Sequence, residues 1–103
     1  MDADVTVQRS ANAHLVDSVV FGHQWATGFS QGCFAEASRV RRWVEVIAAL
    51  GRAQASLGII PRASADAIDE LAERDIDLEA VAAQTRETRH STLGLIRVLQ
   101  SML

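Results

Sequence analysis

His90, near one end of the chain with Arg89 and Arg86 beside it, carries the side chain best suited to chemistry, within "QTRETRHSTLGLIRVLQSML". An imidazole titrates near neutrality and so donates or accepts a proton under ordinary conditions. If a helix begins beside it, the free N–H groups of the first turn, together with Arg89 and Arg86, favour an anion there. A carboxylate or a phosphate suits such a place. From local chemistry alone, a solvent-facing arginine pair at a helix end is the simpler account of the same residues, without any ligand.

Other reactive side chains carry less. His14 and His23 stand in polar or aromatic surroundings, where surface and hydrogen-bonding roles are the ordinary ones. Cys33 is the single cysteine. It has no partner for an internal disulfide and no second thiol for a metal cage, and a small core hydrophobe is its simplest use. No metal site and no cofactor are expected. Trp43 lies at helical spacing from Ile47 and Leu50, which favours core or subunit interface over ligand stacking.

The composition bounds the partners. All ten basic residues are arginine, yet the formal charge is -3, which argues against the clustered basic face that nucleic acid requires. No stretch has signal-peptide character or membrane-spanning length, so a cytoplasmic protein without membrane contact is expected. A chain of 103 residues allows one domain. Residues 1–14 read as a polar tail, with the helical body over 15–103.

Helices must position the reactive segment. Phe34, Ala37, Val40, Val44, Ile47, Leu50 and Leu57 recur at three- and four-residue steps, which predicts one long amphipathic helix. Gly58 is placed to stop it, and Pro61 to open the next. That second helix buries Ala65, Ile68, Leu71 and Ala72, leaving its acidic residues in solvent. Asp77 caps a third, with Leu78, Val81 and Ala82 inward. A break over Thr88 to His90 follows, and Ser91 is the expected cap of a last helix bearing Leu93, Leu95, Ile96, Val98, Leu99, Met102 and Leu103. This stripe is too broad for three alanine-rich helices to cover. The fold class expected is all-α, one long helix and three shorter ones.

The order of these pieces resembles a known family. "FAEASRVRRWVEVIAALGRAQASLGIIP", a short acidic helix, "DIDLEAVAAQTRETRH" and an apolar helix together resemble the amino-terminal domain of the fumarase/aspartase superfamily, in its adenylosuccinate lyase and 3-carboxy-cis,cis-muconate cycloisomerase branch. The likeness covers about residues 20 to 103. It implies an all-helical homotetramer whose central bundle and carboxy-terminal domain lie outside these residues. It further implies a β-elimination from a small carboxylate of succinyl type, usually releasing fumarate, or a related cycloisomerisation. By position, His90 matches the family's Thr-x-His histidine, a proton donor to the leaving group or a hydrogen-bond donor to the substrate. Thr88, Arg89 and Ser91 fall beside it as substrate-binding residues. The stretch on its own is then expected to be inactive. Ser91 stands where adenylosuccinate lyases commonly carry aspartate, which leaves the substrate unassigned, and Gly51 replaces an alanine in mid-helix. The contrasting expectation is a non-catalytic helical interaction or oligomerisation module that uses the apolar last helix to bind another chain.

Overall fold

The computed structural model describes residues 12–103, so residues 1–11 of the expected tail lie outside the described residues. The chain forms two compact units, the first ending at Ala35 and the second comprising Glu36–Leu103. Among the described residues there are five α-helices and no strand, as the all-α pattern requires.

The first unit holds two single 3-10 turns, Leu15–Asp17 and Gly22–Gln24, and a short helix α1, Gly28–Phe34. Thr27 caps α1 reciprocally: its hydroxyl oxygen accepts from the Ser30 N–H at 3.1 Å, and the Ser30 oxygen accepts from the Thr27 N–H at 2.9 Å. The sequence periodicity carries one helix through Phe34, but the structure breaks it at Ala35, which is extended (φ -61, ψ 150). Gly32, inside this helix of seven residues, costs it about 1 kcal/mol relative to alanine.

The long helix α2, Glu36–Ser56, therefore starts one residue past that break, with an acidic residue in its first turn where the helix dipole favours it. It ends in a Schellman turn. Gly58 takes φ +73, the Ile59 N–H donates to the Gln54 carbonyl at 2.8 Å, and the Gly58 N–H donates to the Ala55 carbonyl at 3.1 Å. Pro61 precedes α3, Arg62–Ala72, as its N-cap. Asp77 caps α4, Leu78–Thr88, accepting from the N–H groups of Glu79 and Ala80 at 3.0 and 3.3 Å. The last helix is α5, Ser91–Met102.

Helix α2 packs along α3, and α4 along α5. Between the pairs lies one apolar core of Val40, Val44, Leu71, Val81, Leu95, Val98 and Leu99, with Ile47, Ile76 and Met102 packed on it. The α5 stripe is thus split: Leu95, Val98 and Leu99 are buried, while Leu93, Ile96 and Leu103 stay exposed. Two arginines close helix ends, Arg41 donating to the Ala72 carbonyl of α3 at 3.4 Å and Arg74 to the Met102 carbonyl of α5 at 3.1 Å. Glu45 pairs with Arg42, whose Nη1 lies 2.7 Å from both carboxylate oxygens. Arg52 and Asp69 link α2 to α3. No helix of the described residues is long and apolar enough to cross a membrane.

Gly51 is buried in α2, but an added Cβ would sit 3.4 Å from Ile68 Cδ1 and 3.9 Å from Ala65 Cα, an ordinary contact. Close packing does not demand the glycine. Gly51→Ala is expected to stabilise the chain by about 0.5–1 kcal/mol, by removing backbone entropy from the unfolded state. A rise in the urea midpoint at unchanged slope is the corresponding observation, and a fall would show that Ile68 cannot accept the methyl group.

Candidate functional site

The corner between α4 and α5 is built from its hydrogen bonds. Helix α4 ends at Thr88 because Arg89 adopts the left-handed conformation (φ 57, ψ 30), with its N–H donating to the Thr85 carbonyl at 2.8 Å. His90 is then extended (φ -149, ψ 120) and α5 begins. Ser91 was expected to cap that helix, since its residue type is a preferred cap. The structure gives the role to His90, whose Nδ1 accepts the Leu93 N–H at 3.1 Å. The chemistry is simple: Nδ1 is bonded to Cγ, as the side-chain oxygen of an asparagine is, and so has the same reach to the third N–H of the helix.

Thr88 completes the corner. Its hydroxyl lies 2.8 Å from the Gln84 carbonyl and 3.0 Å from the His90 carbonyl, both acceptors, and its oxygen accepts the His90 N–H at 3.3 Å. Helix α5 can approach α4 this closely because residue 94 is glycine. A Cβ there would stand 2.7 Å from Thr85 Oγ1, 2.8 Å from Thr85 N and 3.0 Å from Thr85 Cα. Nothing in the sequence marked this contact except a glycine inside an otherwise apolar helix.

The Arg89 side chain is exposed, and its guanidinium makes no hydrogen bond or ion pair among the described residues. A left-handed non-glycine residue costs about 1 kcal/mol or more. Arg89→Gly is therefore expected to leave the folded chain as stable or about 1 kcal/mol more stable in chemical denaturation. Destabilisation instead would mean that the guanidinium holds the corner together.

Beside the corner an open cleft of about 360 Å³ lies against α2, α4 and the start of α5. Ser91, Arg86, Arg39 and Glu36 bring polar groups to it, over a floor that includes Val40, Trp43 and Val81. Thr88, Arg89 and His90 do not line this cleft, so the structure brings Ser91 to Arg86 and keeps the other three in the corner. The imidazole remains exposed, and its second nitrogen, Nε2, has no partner among the described residues. Among the described residues no group of three histidine, cysteine or acidic side chains is placed to hold a metal ion.

Comparison with curated proteins gives relatives of one kind. The chain is 30% identical over 90 residues to an N-acetyl-S-(2-succino)cysteine lyase of Enterococcus italicus, covering 86% of the chain and 20% of that protein. It is 34% identical over 92 residues to a nitrosuccinate lyase of Streptomyces davaonensis, covering 88% and 19%. It is 31% identical over 78 residues to an adenylosuccinate lyase of Methanocaldococcus jannaschii, covering 75% and 17%. The chain belongs with the fumarase/aspartase superfamily, as amino-terminal sequence. It spans about a fifth of the length of the curated relatives it matches. No family profile matches it, and no solved structure gives a significant match.

Proposed function

We propose that residues 15–103 act as the amino-terminal domain of a lyase that carries out a fumarate-releasing β-elimination on a succinyl-type substrate, or a related cycloisomerisation. The observation that carries this reading is the shared part of the relatives' names: succinocysteine, nitrosuccinate and adenylosuccinate differ in the group attached and agree in the succinyl unit. In the reaction a base takes the proton next to a carboxylate, the electron pair forms the double bond, and the leaving group departs with the electrons of its bond to carbon. His90 serves either as a proton donor to that group or as a hydrogen-bond donor to a substrate oxygen, and Thr88, Arg89 and Ser91 border it. Arg89 and Arg86 supply the positive charge a dicarboxylate needs. The remaining machinery comes from the longer cytoplasmic protein and from its homotetramer, so the 103-residue stretch alone is inactive.

A second reading, a helical interaction module without catalysis, is favoured by the exposed Val46, Leu50, Leu93 and Ile96. One assay separates them. The polypeptide carrying this sequence is incubated with S-succinyl, N-succinyl and nitro-substituted succinates, and fumarate is measured. Release from at least one class is the expected result, and no release from a folded oligomer leaves only the module.

A further inference from the structure

The hydrogen bonds at the α4–α5 corner fix more than the position of His90. A neutral imidazole has one N–H and one bare nitrogen, and which is which follows from the partners. Here Nδ1 accepts the Leu93 N–H, so it is the bare nitrogen, and the proton resides on the exposed Nε2. That contact requires His90 to keep its extended backbone, and the Thr88 hydroxyl is what grips that backbone from both sides, accepting its N–H and lying 3.0 Å from its carbonyl. With its proton shared between the Gln84 and His90 carbonyls, the Thr88 hydroxyl is engaged inside the protein.

We infer that Thr88 is a positioning residue for His90: the hydroxyl holds the backbone, the backbone holds the cap, and the cap holds the ring as a fixed Nε2–H donor. Such a ring offers the outside a proton to share with an oxygen, and it offers no base, because its basic nitrogen is spent on the helix. Of the two roles open to His90, hydrogen-bond donation to a substrate oxygen is the one this arrangement serves. That last step rests on the lyase reading, whereas the state of the ring and the part played by Thr88 do not.

The test uses the 103-residue chain labelled with 15N, without substrate, at about pH 8.5, where an ordinary imidazole is neutral. Long-range proton–nitrogen spectra report the tautomer of each ring, with the exposed His23 as internal reference. The expected result is a single Nε2–H form for His90, its Nδ1 shift displaced from that of His23, and Leu93 amide exchange at least tenfold slower than in Thr88→Val. Thr88→Val brings the His90 signals to those of His23, and Thr88→Ser restores them. A His90 ring identical to His23 in the unsubstituted chain overturns the inference, as does a folded Thr88→Val with unchanged ring signals. Should Thr88→Val not fold, His90 against His23 in the unsubstituted chain, and Leu93 exchange with and without His90→Ala, still decide. Failure of the fumarate assay, by contrast, leaves these spectra as they are.

Discussion

Gly94→Ala costs the second unit about 1–3 kcal/mol of stability, a fall of roughly 5–20 °C in Tm for a domain of this size. Alanine is the better helix former by about 1 kcal/mol, so propensity alone predicts the opposite sign. Geometry decides. The new methyl group meets Thr85 Oγ1, N and Cα at 2.7, 2.8 and 3.0 Å, and two of those atoms are backbone that cannot rotate away. Helix α5 must slide from α4, which loosens Leu95 and Val98 in the core and displaces the His90 cap at its start. Removing the threonine hydroxyl by Thr85→Ala relieves one contact of the three and is expected to recover a minor part of the loss. Thermal unfolding of Gly94→Ala beside Gly51→Ala gives opposite shifts. A Gly94→Ala protein as stable as the parent would mean that the two helices do not approach as described.

These two glycines show what the sequence makes legible. Each sits in the interior of an amphipathic helix, and nothing in either neighbourhood says which one faces backbone and which faces the flexible end of Ile68. That difference belongs to tertiary contact. Features set by local rules were readable: the Gly58 stop, the Asp77 cap, the break after Thr88, and the buried Val40, Val44, Leu71 and Leu95, all of which follow from spacing and turn chemistry. The misplaced cap has the same origin. Serine at position 91 satisfies the rule for cap residues, and the rule ranks residue types without weighing a histidine already extended one position earlier, with Nδ1 at hydrogen-bond distance from the third N–H. Periodicity through Phe34 likewise continues across a backbone break at Ala35 that no side-chain pattern records, so the long helix starts later than the spacing implies. At the candidate site, residue type points to His90 and its arginines and the family resemblance adds Thr88 and Ser91, but their division between a corner and a cleft with Arg86 depends on how α2 lies against α4.

The His90 substitutions separate the structural and chemical duties of one ring. His90→Ala removes the cap and is expected to cost about 1 kcal/mol, the usual effect of losing an N-cap acceptor. His90→Asn retains an acceptor at the same bond count from the backbone, so its stability should match the parent within about 0.5 kcal/mol. Neither variant keeps a donor at the place of Nε2. If that donor meets a charged substrate oxygen, its loss removes about 1.5–3 kcal/mol, or roughly 10- to 150-fold in kcat/KM. In the polypeptide that carries this sequence, fumarate release should therefore fall in both variants while only the alanine protein loses stability. Because asparagine preserves the helix start, a weak His90→Asn enzyme cannot be attributed to a frayed α5. Full activity in His90→Asn would reduce the ring to a cap and remove His90 from the chemistry.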